Sequence, residues 1–109
     1  IYIMDVIIQS LGFTAGEGLE SYIRRKLEKL TPNDQIIRAN VTLFLGPDRA
    51  IPNTYCEIRL EVPGNDLFVK ESDTEFEQAV DEAVNKLQTL IRKAKEKQVD
   101  RWHGKVNEG

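Results

Sequence analysis

Between residues 37 and 62 the chain alternates apolar and polar side chains with a period of two, twice in succession, the signature of two neighbouring strands with one buried face. In the first run Ile37, Ala39, Val41, Leu43 and Leu45 stand against Arg38, Asn40, Thr42 and Phe44. Gly46-Pro47-Asp48 interrupts it, and a second run sets Cys56, Ile58, Leu60 and Val62 against Tyr55, Glu57, Arg59 and Glu61. Pro63-Gly64-Asn65-Asp66 then supplies hairpin punctuation before a short strand from Leu67 to Lys70. Strands this short, polar on one side, need helices to cover the other.

Two segments with helical spacing provide the cover. Leu19, Ile23, Leu27 and Leu30 form one apolar stripe, preceded by Thr14 and Glu17 at capping-box spacing and ended by Thr31-Pro32-Asn33-Asp34. Phe76, Val80, Ala83, Val84, Leu87, Ile91 and Ala94 form the second stripe, on a helix expected from about Glu75 to about Gln98 with Ser72-Asp73-Thr74 as its cap. The β-branched opening run of Ile1, Ile3, Val6, Ile7 and Ile8, ending before Gly12, reads as a first strand. The resulting order is β-α-β-β-β-α. It predicts a two-layer α+β domain over residues 1–98, a mainly antiparallel four-stranded sheet with both helices on one face, and a flexible tail over 99–109. Arg38, Asn40, Thr42, Tyr55, Glu57, Arg59 and Glu61 fall on the other, polar face.

With 109 residues, one domain is the expectation, and the single cysteine, Cys56, excludes an internal disulfide or a cysteine zinc cluster. A reducing, cytoplasmic setting follows as the default. No stretch is apolar enough to span a bilayer, and no membrane partner is expected.

Candidates for chemistry are few. His103, the only histidine, sits beside Trp102 in the expected tail, with no carboxylate or serine set around it. Cys56 alternates inward with Ile58 and reads as a small apolar core residue. Glu57 and Glu61 share a strand face without a pocket signal, and Gly12, Gly16 and Gly18 lack the spacing of a phosphate loop. The chain therefore reads as a non-enzyme, with no cofactor, no metal and no small-molecule substrate. Trp102 is a candidate for stacking on a base.

The charges carry more information. The net charge of −3 conceals an asymmetry: from Glu71 to Glu82 there are six acids and no base, whereas from Ala83 to Lys97 five bases oppose Glu96 alone. Acids at a helix start and bases at its end complement the helix dipole. The distribution around the helix goes further, because Lys86, Lys93 and Lys97 gather on one flank, as Tyr22, Arg25 and Lys29 do on the first helix with Lys26 beside them. Such rows of long cations suit a phosphate backbone, which they grip by displacing condensed counterions.

Several of these residues fall within a recognisable arrangement. Phe13-Thr14 after a strand, then Tyr22-Ile23-x-x-Lys26-Leu27-x-Lys29-Leu30, then Ala79-Val80-Asp81-x-x-Val84-Asn85-Lys86-Leu87 followed by Ile91-Arg92-Lys93, resembles the ribosome hibernation promoting factor and ribosome-associated inhibitor family, also called sigma-factor modulation proteins. The resemblance runs in order from about Met4 to about Lys97. It implies a fold similar to double-stranded RNA-binding domains and a translation inhibitor seated in the messenger and transfer RNA channel of the small ribosomal subunit, with ribosomal RNA as partner. Carried over by position, Lys26, Lys29, Lys86 and Lys93 match the family's RNA-facing residues, with Arg25 and Lys97 as neighbours. Thr89 stands where some members have arginine. Longer members carry a separate dimerisation domain, so the resemblance implies a short form or the first part of a longer chain. The alternative is an α+β protein-interaction module whose charges serve helix stability alone.

Overall fold

The computed structural model describes residues 5–30, 38–46, 53–62, 64 and 66–108, with backbone alone for 95–108. The elements are β1 (Asp5–Leu11), α1 (Glu17–Leu27), β2 (Arg38–Leu45), β3 (Thr54–Glu61), β4 (Leu67–Asp73) and α2 (Phe76–Glu108). They form one four-stranded sheet in the order β1-β2-β3-β4. β1 runs parallel to β2, whereas β2–β3 and β3–β4 are antiparallel. The expected fold class and element order are therefore those observed.

The register turns the sequence alternation into two faces. Val6, Ala39, Ile58 and Val69 belong to one set of rows, Ile7, Asn40, Arg59 and Phe68 to the other. Along β2 and β3, Ala39, Val41, Leu43, Cys56, Ile58 and Leu60 are all buried. Ile23 and Leu27 of α1, Leu30 just past it, and Ala79, Val80, Ala83, Val84 and Leu87 of α2 complete the same core. The rings of Phe13 and Phe76 stack with centroids 4.8 Å apart, joining the β1–α1 connection to the first turn of α2.

Three local expectations are corrected. The Thr14–Glu17 pair is not a capping box, because α1 starts at Glu17 with Gly16 as its cap and no side-chain cap hydrogen bond. Its stability comes from the buried stripe instead. The last strand runs through Ser72 and Asp73, pairing Tyr55 with Ser72 and Thr54 with Asp73, so two of the three residues read as a helix cap belong to the sheet. Asp73 still serves the turn into α2, accepting the Thr74 N–H at 2.7 Å. Finally, α2 continues to Glu108, past the last apolar turn and past Gln98, where the helix was expected to end. Residues 31–37, which include the expected helix stop at Thr31-Pro32-Asn33-Asp34, residues 47–52 and residues 1–4 lie outside the described residues. In the β3–β4 connection Gly64 has φ +99°, a left-handed conformation that suits glycine and explains its place in the hairpin.

Two consequences can be measured. Ile58 is fully buried at the middle of β3, and Ile58→Ala is expected to destabilise the domain by about 2–5 kcal/mol in a denaturant titration. Burial, with a smaller contribution from the neighbouring Glu57 charge, pushes the Cys56 thiol up to about 12. The native protein should therefore fail to react with a disulfide reagent at pH 8, while the unfolded chain reacts fully.

Candidate nucleic-acid interface

Both helices run in the same direction. α1 returns from the end of β1 to the start of the parallel strand β2, and α2 returns across the sheet after β4, which has the orientation of β2. Their C-terminal halves, each rich in bases, consequently lie toward one end of the helical layer. Sequence spacing alone leaves this pairing open; the parallel β1–β2 crossover decides it.

The helices are tied across their interface by one polar cluster. The Tyr22 hydroxyl donates to Asp81 Oδ1 at 2.6 Å, and Lys26 Nζ lies 3.1 Å from the same oxygen and 5.4 Å from the centre of the Tyr22 ring. Burial by itself would push the Asp81 carboxyl up, but the Tyr22 hydroxyl, the Lys26 ammonium and the nearby charge of Lys29 together hold it below the usual carboxylate range. The same hydrogen bond to Asp81 raises the Tyr22 phenol, and the bond to Asp81 raises Lys26.

Lys86 is held differently. Its ammonium lies 2.7 Å from Glu71 Oε2, a carboxylate on the helix-facing side of β4 that is only 17% exposed. Asp81 and Lys86 are five residues apart, roughly 140° around the helix at about 100° per residue. Lys26 thus meets the α1-facing flank of α2, while Lys86 lies on the opposite flank, over the β4 edge. The six sequence-selected cations do not form a single row. Arg25, Lys29 and Lys93 are exposed, and among the described residues none has a carboxylate within ion-pair distance. Lys93 shares the Lys86 flank through its i+7 spacing. The side chain of Lys97 lies outside the described residues, as do those of Trp102 and His103.

The acidic partners are not visible in the sequence, since Glu71 and Asp81 reach Lys86 and Lys26 only through tertiary packing. Thr89 contributes no cation: its hydroxyl donates to the Asn85 carbonyl at 3.3 Å, within its own helix. Glu57 and Glu61 face away from the helices and engage Lys70 at 3.9 Å and Asn40 at 2.7 Å. No helix among the described residues is long and apolar enough to cross a membrane.

The Asp81 cluster generates a pH dependence. Because the folded carboxyl is held below its unfolded value, its stabilisation is present above the unfolded pKa, about 3.9 for aspartate, and is lost as pH falls through the lower folded value. Tyr22→Phe should move the Asp81 titration upward in a side-chain NMR titration and shift the acid unfolding midpoint to higher pH.

The model of the family described as Sigma 54 modulation protein / S30EA ribosomal protein matches residues 6–99, which takes in β1 through the apolar part of α2. Two solved structures are similar in fold. A ribosomal subunit interface protein from Coxiella burnetii superposes with a TM-score of 0.76 at 18% identity, covering 84% of this chain and 98% of that one. The N-terminal domain of Thermus thermophilus Protein Y gives a TM-score of 0.70 at 23% identity, covering 83% and 98%. No curated protein sequence matches the chain. With the family match spanning nearly all of the two-layer domain, the chain belongs to the sigma 54 modulation protein / S30EA ribosomal protein family.

Proposed function

We propose that the protein is a ribosome-associated translation inhibitor that works by occupancy and makes or breaks no bond. In this reading the helical layer docks its basic end on ribosomal RNA of the small subunit, within the channel used by messenger and transfer RNA, and excludes both by steric overlap. Such a role is carried out in the cytoplasm, where ribosomes work.

The observation that carries the reading is the exposure of Arg25, Lys29 and Lys93 on two helices that point their basic ends the same way, in a chain of this family. Phosphate contacts of this kind position a protein without reading sequence. The acids between Glu71 and Glu82 repel phosphate from the N-terminal half of α2, which orients the approach. Lys26 and Lys86 are engaged by Asp81 and Glu71, partly buried carboxylates that are costly to leave without a cation, so the proposed binding rests first on Arg25, Lys29 and Lys93.

The experiment is co-sedimentation with purified small subunits through a sucrose gradient. Lys29→Glu with Lys93→Glu should weaken binding by at least about tenfold, and binding of the unaltered protein should fall steeply with added salt. Unchanged co-sedimentation of the double variant would refute the surface. If RNA digestion left a partner bound that intact ribosomes do not provide, the interaction-module alternative would take its place.

A further inference from the structure

Among the described cations of the two helices, Lys86 alone combines high exposure with an ion pair: its side chain is 63% exposed, yet its ammonium lies 2.7 Å from Glu71 Oε2. Lys26 is also paired, but it is tucked between the helices at 26% exposure, and its carboxylate, Asp81, has the Tyr22 hydroxyl as a second partner. Glu71 is more dependent on its lysine. Among the described residues Lys86 is its one ion-pair partner.

The place of Glu71 in the sheet explains why it holds the lysine. It stands opposite Cys56 in the β3–β4 register, so its side chain belongs to a row that faces the helices, and it is only 17% exposed. A carboxylate so enclosed is costly to leave without a cation. Glu82, one helical turn before Lys86, brings further negative charge to the same flank. A hydrogen bond with Asp73, burial and the charges of Asp73 and Glu71 push the Glu82 carboxyl up, whereas Lys86 pulls it down. Lys86 is thus set against Glu71 directly, with Glu82 close by and Asp73 behind it.

We propose that Glu71 is an autoinhibitory carboxylate: it occupies the Lys86 ammonium in place of an RNA phosphate, keeps that lysine out of the contact, and so limits the affinity of the helical layer for RNA. The proposal rests on the RNA-docking reading and goes beyond it, because it takes one sequence-selected lysine out of the surface and names the residue responsible. Phosphate and carboxylate compete for the same ammonium. Drawing Lys86 away strands Glu71 in a site largely closed to water, and that cost offsets what the new phosphate contact contributes. With Glu71 uncharged, Lys86 is released on the flank it shares with Lys93, seven residues or roughly 10 Å further along the helix, and the two form one row.

The test is a double-mutant cycle on the full chain, titrated with small subunits at several salt concentrations; circular dichroism checks that each variant is folded. Glu71→Gln should tighten binding by at least about threefold and steepen the slope of log affinity against log salt by about one, the signature of one added phosphate contact. Both gains should vanish in the double variant Glu71→Gln with Lys86→Gln. Glu75→Gln, an equal charge change beside the start of α2, should leave the slope as it was. Lys86→Gln alone should also leave the slope unchanged, while lowering the thermal unfolding midpoint. A second readout needs no ribosome: on the isotope-labelled chain titrated with inorganic polyphosphate, the Lys86 side-chain NMR signals should move in Glu71→Gln and stay in place in the unaltered protein. Failure of the unaltered protein to bind small subunits refutes the ribosome reading, and the polyphosphate titration then decides this one. The idea is overturned if Lys86→Gln alone flattens the salt dependence, if Glu75→Gln gains as much as Glu71→Gln, or if the Lys86 signals respond to polyphosphate with Glu71 intact or fail to respond once it is neutralised.

Discussion

The contact of Ile23, Leu27, Val80, Ala83, Val84 and Leu87 with the inward rows of β2 and β3 is the interaction on which the remaining structure depends. A four-stranded sheet with one apolar face cannot stand alone in water, and the two helical stripes are what remove that face from solvent. Because β1 and β2 are parallel, α1 must cross back over the sheet, and α2 after β4 does the same. The hydrophobic seal therefore dictates that two basic helix ends share one end of the layer.

Charge placement follows from that seal instead of preceding it. Glu71 sits on the helix-facing side of an edge strand, largely excluded from water, and Lys86 folds down to meet it. Asp81 sits where the two helices touch, and Tyr22 and Lys26 of α1 satisfy it together. These lysines hold the sheet edge and the helix pair in place, and the same ammonium groups lie at the rim of the proposed RNA-facing surface. Arg25, Lys29 and Lys93, by contrast, have no described structural partner, and they carry the proposed binding most directly.

One strand layer thus separates two unlike surfaces. The helical side combines an acidic beginning with a basic end, where the exposed cations carry the proposed phosphate contacts. The open side pairs a stacked aromatic corner, Phe44 on Tyr55, with a shallow trough between Asn40, Thr42, Glu57, Arg59 and Asp66, where Lys70 and Arg38 meet the carboxylates of Glu57 and Glu61. Each strand residue faces one side or the other by the two-residue repeat, so a single stretch such as Cys56–Glu61 builds the core and the trough at once.

Element order, helix count, the buried stripe and the inward place of Cys56 were legible in the residues themselves, because period-two and period-3.6 patterns report which side of a local element faces the core. The long-range ion pairs were not legible: Lys26 and Asp81 are 55 positions apart, and nothing local to either names the other. Nor was the capping at Thr14, where a good local motif lost to a helix that begins at Glu17 with Gly16 as its cap. Local patterning by itself determined the α+β layers and the cationic composition of the helix ends. Only the tertiary structure decided that Lys26 and Lys86 lie on opposite flanks of α2 and that Glu57, Asp66 and Arg59 share one trough, since those relations come from the register and packing of elements distant in the chain.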